Sequence, residues 1–311
     1  MSRLRVGVVM DPIATIKPKK DTTLALLLEA RRRGHELHYM EQSDLWLRDG
    51  AACAHRRLLD VRDDPKSWFS FTGETTGPLA QLDVILMRKD PPVDQEYLYA
   101  TYILERAQAD GVLVVNRPEA LRAVQEKLYT AWFAHLTPPT LVASAPVRVR
   151  EFLAEHQDII VKPLDLMGGA SIFRLRQDDP NVSVVLELMT RHASRPVMAQ
   201  RYVPEIVHGD KRLLLIDGQA PPYALARIPQ AGETRGNLAA GGRGEGRELT
   251  ARDREICAAV GPHLRELGLV FVGLDVIGDY LTEINVTSPT CVRELDAIYG
   301  INLAARLWDA I

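Results

Sequence analysis

The sequence predicts a mixed α/β fold, with a parallel sheet first and antiparallel sheets after it. Three observations carry that reading. Over the first 122 residues, short apolar runs alternate with amphipathic helical stretches, the pattern of a parallel sheet with helices on both faces. From residue 158 onward the apolar runs are joined by tight, glycine-containing turns, which suits antiparallel pairing. Near the end, two runs at 270–277 and 280–285 are separated only by Gly278-Asp279, a hairpin.

Residues 4–10 (LRVGVVM) form an apolar strand stopped by Asp11-Pro12, and residues 22–33 place Leu24, Leu27 and Leu28 at helical spacing before Gly34. Residues 36–40, 83–87 and 112–116 read as further strands, with a helix over 96–109. Weak periodicity over 50–78 predicts an excursion off this sheet. Residues 1–122 then make a first domain, 123–203 a central unit and 204–311 a last one.

In the central unit, a helix near 126–135 runs into Pro138-Pro139, residues 147–155 look helical, and 158–163 (DIIVKP) read as a buried strand. The turn Asp165-Leu166-Met167-Gly168-Gly169 leads to a second strand at 170–175, so its glycines sit in a hairpin and open no helix. Rossmann and P-loop readings need that helix, and neither GxGxxG nor GxxxxGK[ST] occurs. Strands follow at 197–203, 212–216 and 222–227. The glycine-rich stretch 228–247 has no aromatic residue and only Ile228 and Leu238 as bulky aliphatics, so it reads as a long mobile loop of the functional kind. A helix at 252–267, the terminal hairpin and one helix over 295–311 complete the chain.

Composition narrows the function. Lys plus Arg number 38 against 41 for Asp plus Glu in 311 residues, and the net charge of -3 provides no basic field for nucleic acid or an anionic membrane. No apolar run approaches the ~20 residues a membrane span needs. Three cysteines without a CxxC pair suggest neither a disulfide framework nor a zinc site, and the eight histidines show no HExxH pattern. The chain reads as cytoplasmic and unprocessed.

The sharpest local signal is Asp275 on one strand and Glu283-Ile284-Asn285 on the next. The hairpin brings them to one end of a sheet, with Glu283 and Asn285 on one face. Hard oxygen donors so placed suit Mg²⁺; the alternative is strand acids paired with arginines, and an acid in so apolar a strand needs a partner either way. Lys162 ends the apolar strand Ile159-Ile160-Val161, where it either snorkels to solvent or holds an anion. Lys127 lies near a helix start, where its position favours a solvated surface lysine over an anion-binding one. Gly168-Gly169 either cradles phosphates or simply turns the chain. Arg212, Arg227, Arg235 and Arg243 flank the sheet and the glycine-rich stretch, and any two that converge would hold an anionic substrate.

Longer stretches then match a known family. Residues 8–13 (VVMDPI), 86–92 (LMRKDPP), 102–107 (YILERA), 226–244 (ARIPQAGETRGNLAAGGRG) and 271–293 (FVGLDVIGDYLTEINVTSPTCVR) make the chain resemble the prokaryotic glutathione synthetases of the ATP-grasp superfamily. The resemblance implies an ATP-grasp fold: a pre-grasp parallel α/β domain, a central lid and a C-terminal antiparallel sheet. It implies a ligase that joins γ-glutamylcysteine to glycine through an acyl phosphate, with ATP converted to ADP and phosphate. Lys127, Lys162, Gly168 and Gly169 match the phosphate-gripping positions. Gln200, Arg201, Tyr202 and Val203 match the strand that meets adenine, and Asp210 lies where the family contacts nucleotide. Asp275, Glu283 and Asn285 match the ligands of two Mg²⁺ ions, with Mn²⁺ as a substitute.

By the same resemblance Arg212, Arg227 and Arg235 are catalytic, and Asn237, Arg88 and Asp11 contact substrate. The stretch 228–247 would be a lid, the partners small molecules, and the assembly a homotetramer. One departure is Leu166, where the family commonly has glycine, a matter of consequence if the position needs a positive φ. A ligase for another acid–amine pair is disfavoured by residues 233–242 and the arginines. An ATP-binding protein without chemistry is disfavoured by retention of all three metal-type residues.

Overall fold

The computed structural model describes residues 3–230, 236 and 241–311. Its first part unfolds in the alternating order the apolar runs dictate: β1 (Arg5–Val9), α1 (Thr22–Arg32), β2 (Glu36–Met40), β3 (Leu45–Arg48), β4 (Ala51–Val61), β5 (Phe69–Pro78), β6 (Val84–Met87), α2 (Gln95–Ala109), β7 (Leu113–Val115) and α3 (Pro118–Ala123). Asp21 and Asp94 cap the two longer helices, their carboxylates accepting from Leu24 N at 2.6 Å and Tyr97 N at 2.9 Å. The strands lie in the order β3-β4-β2-β1-β6-β7, with β5 beside β4, and β2, β1, β6 and β7 run parallel.

The expected excursion at 50–78 is overturned, because β4 and β5 extend this same sheet as antiparallel strands. Period-two alternation is masked there: β4 buries small residues such as Ala52 and Ala54, and β5 (FSFTGETTGP) is almost wholly exposed.

The central part contains β8 (Thr140–Ala143), α4 (Pro146–His156), β9 (Asp158–Pro163), β10 (Phe173–Arg176), α5 (Val182–Met189) and β11 (Val197–Arg201). Its four strands make an antiparallel sheet in the order β10-β9-β11-β8 over a core of its own, built on Val149, Leu153, Ile159, Val161, Leu186 and Val197. The glycine turn does join two strands, β9 and β10. The helix expected near 126–135 is a 3₁₀ segment, Leu128–Leu136, broken at Phe133.

The last part holds β12 (Asp210–Ile216), β13 (Tyr223–Ile228), β14 (Arg243–Glu248), α6 (Ala251–Glu266), β15 (Phe271–Ile277), β16 (Tyr280–Asn285), α7 (Val292–Tyr299) and α8 (Leu303–Ala310). The five strands form an antiparallel sheet, β14-β13-β12-β15-β16. Two readings change here. The loop expected over 228–247 is shorter at its end, since Arg243 to Glu248 pair with β13; an edge strand needs only backbone donors and acceptors, which glycine supplies as well as any residue. The single helix expected over 295–311 is two, because Gly300 takes φ 63° and Asn302 starts a new helix by accepting from Ala305 N.

The first and last sheets share two apolar cores, and the central sheet shares neither. Asn116, after β7, fastens the shared boundary: its Nδ2 donates to Phe271 O and Val286 O, both at 2.8 Å, and its Oδ1 accepts from Phe271 N. Among the described residues no helix is long and apolar enough to cross a membrane.

Candidate active site

A cleft with about 900 Å³ of empty space lies between the central and last sheets. Of the residues singled out in the sequence, Lys127, Lys162, Gly168, Gly169, Gln200, Arg201, Tyr202, Val203, Asp210, Asp275 and Glu283 line it.

Its floor is one face of the last sheet. Alternation along β12 puts Asp210 and Arg212 on the same side, and the register sets Arg227 of β13 opposite Asp210. It also sets Asp275 of β15 opposite Arg212, and Glu283 of β16 opposite Asp275. A row of charge therefore crosses four strands. Arg212 donates to Asp275 through Nε at 2.6 Å and Nη2 at 3.2 Å, and Arg227 Nη2 lies 2.9 Å from the same carboxylate and also contacts Asp210. The partner that Asp275 needs is thus a pair of buried arginines.

Burial works against the Asp275 charge, but Arg212 and Arg227 outweigh it and hold the carboxyl well below its usual range. Asp210 shares the pair less well: burial and the Asp275 charge push it up to about 7, against the pull of Arg227. Its Oδ1 is buried with no hydrogen-bond partner among the described residues.

Two lysines face this row. Lys162 of β9 is 7% exposed and donates to Thr282 O at 3.2 Å, with no ion pair among the described residues; burial lowers its pKa. Lys127, 6% exposed, reaches Leu166 O at 2.7 Å and Glu283 Oε1 at 2.8 Å, so it is no surface lysine. Gly168 and Gly169 take φ of 68° and 80°, which require glycine, whereas Leu166 keeps a negative φ. The departure at Leu166 therefore leaves the turn's geometry intact.

At the other end, Gln200 donates to Thr140 Oγ1 at 3.0 Å, and the backbone N–H of Arg201 and Tyr202 bond Pro139 O and Asp158 O. With Ile160, Val203 and Ile277 this end offers apolar walls and a polar strand edge, suited to a planar heteroaromatic ring.

Other expected residues stand apart. Asn285 lies two positions beyond Glu283 and donates to Gly273 O at 3.2 Å. Arg88 is buried against Thr23 and Pro289 O, and burial brings its pKa down to about 10. Asp11 pairs with Lys89 and accepts from Asp90 N. Arg235 and Asn237 lie outside the described residues. Sequence reading passed over Gln125 and Glu126, whose contacts are made by tertiary packing of a connection, and Gly273, whose part depends on cross-strand register; their adjacency to Lys127 and Asp275 was the available signal.

Comparison with known proteins adds the following. The family model described as "Prokaryotic glutathione synthetase, N-terminal domain" matches residues 4–122, and "Prokaryotic glutathione synthetase, ATP-grasp domain" matches 126–300. A protein of Escherichia coli K12 named glutathione synthetase is 59% identical over 308 residues, covering 99% of this chain and 98% of its own. One of Vibrio cholerae with the same name is 58% identical, covering 99% and 97%. Among solved structures, a D-cycloserine synthetase superposes with a TM-score of 0.69 at 18% identity, covering 98% of each chain. A Chryseobacterium gregarium RiPP-associated ATP-grasp ligase does so at 0.66 and 14%, covering 98% and 96%. Those two share the fold.

Proposed function

This chain belongs to the prokaryotic glutathione synthetase family, and from that premise we propose how its residues carry out the ATP-dependent formation of glutathione. The enzyme is an ATP-grasp ligase. In the proposed course, the cysteinyl carboxylate of γ-glutamylcysteine attacks the γ-phosphorus of ATP and ADP leaves. The amine of glycine then adds to the acyl phosphate, and loss of phosphate and a proton leaves the amide. A carboxylate oxygen is a poor leaving group until phosphorylated, so the work of the protein is positioning and charge compensation.

The observation that supports the reading is that Asp210, Asp275 and Glu283 line the cleft together with Lys127 and Lys162, in a buried row whose aspartates are paired with Arg212 and Arg227. Lys127, Lys162 and the left-handed turn at Gly168-Gly169 would hold the phosphates, with adenine against Gln200, Arg201, Tyr202 and Val203. Arg212 and Arg227 hold Asp275 and keep further N–H donors for the transferred phosphoryl group. Arg235 and Asn237 remain assigned to catalysis and substrate, as do Arg88 and Asp11 to substrate, on family grounds.

Asp275, Glu283 and Asn285 fit Mg²⁺, or Mn²⁺ in its place, by donor chemistry: all are oxygen donors, and the Asp275 carboxyl is held ionised. Its carboxylate accepts three N–H groups of the roughly four lone-pair sites it has. Among the described residues no three Asp, Glu, His or Cys side chains are grouped so as to hold a metal by themselves, so the other ligands of such an ion would have to come from phosphates and water. When bound, such an ion neutralises charge on the phosphate oxygens. Family membership also supports a cytoplasmic homotetramer.

The test is phosphate release from ATP and Mg²⁺ with γ-glutamylcysteine, with and without glycine, beside other acid–amine pairs including D-alanine. Release that needs both substrates and yields glutathione is expected. Turnover with another pair alone would overturn the substrate assignment.

A further inference from the structure

Three consecutive side chains, Gln125, Glu126 and Lys127, join the two walls of the cleft. Gln125 Nε2 donates to Leu164 O at 2.5 Å, and its Oε1 accepts from the N–H groups of Lys127 and Leu128 at 3.0 and 2.6 Å. Lys127 reaches Leu166 O, so both residues hold the glycine turn of the central sheet. Glu126 points to the opposite wall. A single carboxylate oxygen, Oε1, accepts from Val286 N at 2.9 Å, Thr287 N at 3.1 Å and Thr287 Oγ1 at 2.9 Å. Its backbone carbonyl accepts from Ile284 N at 2.8 Å.

Residues 284 to 287 directly continue the strand that carries Glu283, and they include Asn285. Glu126 makes no ion pair among the described residues. A partly buried carboxylate with no cation beside it, turned wholly onto the end of one strand, does not serve as a charge anchor. It serves as a clamp. Because the next residue is Lys127, which itself touches Glu283, the clamp fixes how far the lysine stands from the acids.

We propose that Glu126 is a positioning residue of the ligase reaction: by holding residues 284–287 it sets Glu283 and Asn285 relative to Lys127, so that metal and phosphates are met in one geometry. This rests on the assignment of Asp275, Glu283 and Asn285 to the metal. Removal of groups that orient ligands without touching the ion commonly costs about ten- to a hundredfold in metal affinity.

The test uses the full-length enzyme and calorimetric titration of a non-hydrolysable ATP analogue over a range of Mg²⁺ concentrations. Glu126→Ala is expected to raise the half-saturating Mg²⁺ concentration about tenfold or more. Glu126→Gln, whose amide oxygen can still accept from Val286 and Thr287, is expected to stay within about twofold of the parent enzyme. Thr287→Val, which removes one of the three bonds, shifts the same constant in the same direction by less.

A purely structural role lowers the melting temperature and the active fraction but leaves the Mg²⁺ constant unchanged, and that result for Glu126→Ala overturns the proposal. So does a Glu126→Gln enzyme as impaired as Glu126→Ala, because charge would then be what matters. If Glu126→Ala does not fold, Thr287→Val decides: an unchanged constant there refutes the clamp. Glu283→Gln is titrated alongside, and if its Mg²⁺ dependence is unaltered, the metal assignment fails whatever Glu126 does.

Discussion

Gly273 sits on β15 two residues before Asp275, where the Arg212 side chain crosses the strand. A Cβ at this position would stand 2.9 Å from Arg212 Cδ, 3.2 Å from its Nε and 3.1 Å from Pro289 Cβ. Gly273→Ala is therefore expected to push Arg212 off Asp275, costing about 1–3 kcal/mol of stability and lowering kcat more than it raises the KM for ATP. Steady-state kinetics and urea unfolding check this; parent values in both would show that Arg212 gives way freely. Much of this site was legible in the sequence. Alternation placed Glu283 and Asn285 on one face, and an acid in an apolar strand called for a partner. Which arginines answer, and why residue 273 must lack a side chain, depend on a cross-strand register that no single strand's sequence encodes.

Helices α1 and α8 are joined by Glu29, which is only 4% exposed yet binds Arg32 at the end of its own helix and Arg33 just beyond it, and accepts from Asn302 Nδ2. The Arg32 hydrogen bonds, followed by those of Arg33 and Asn302, outweigh burial and lower the Glu29 carboxyl to about 2. The unfolded chain binds this proton near the ordinary glutamate value, so the stabilisation is complete above about pH 4.5 and is lost as pH falls toward about 2. Glu29→Gln is expected to remove on the order of 2–3 kcal/mol at neutral pH and to flatten the acid side of the melting profile. Parallel melting curves for parent and variant between those pH values would contradict it. The helices expected at 22–33, 96–109, 147–155 and 252–267 followed from spacing and caps, but the short α3 and α5, the 3₁₀ character of 128–136 and the break at Gly300 did not. A glycine inside an amphipathic pattern reads equally as a tolerated interruption or as an end, and only the left-handed turn followed by the Asn302 cap decides it.

At the scale of the molecule, the central sheet keeps a core apart from the two cores that unite the other sheets. Its tie to the floor of the cleft runs through a few polar contacts, Lys127 to Glu283 and Lys162 to Thr282 among them. Binding of an ATP analogue with Mg²⁺ is expected to slow amide exchange in 158–176 and 197–203 far more than in the sheet of β1, β2, β6 and β7. Equal protection across all three sheets would rule out a separately moving central part.

Family and fold were legible because short stretches of the first part and two long ones of the last, 226–244 and 271–293, carry them, whereas the strands at 51–61 and 69–78 hid behind small and polar side chains. One amide between those parts has a consequence for engineering. Asn116 gives two hydrogen bonds and takes one across the boundary between the first and last sheets, a combination that aspartate lacks the donors for and glutamine is too long to place. Any attempt to graft a foreign N-terminal module onto the last sheet must therefore keep an asparagine at this position besides matching the shared apolar cores, and candidate modules can be screened for it before a gene is built.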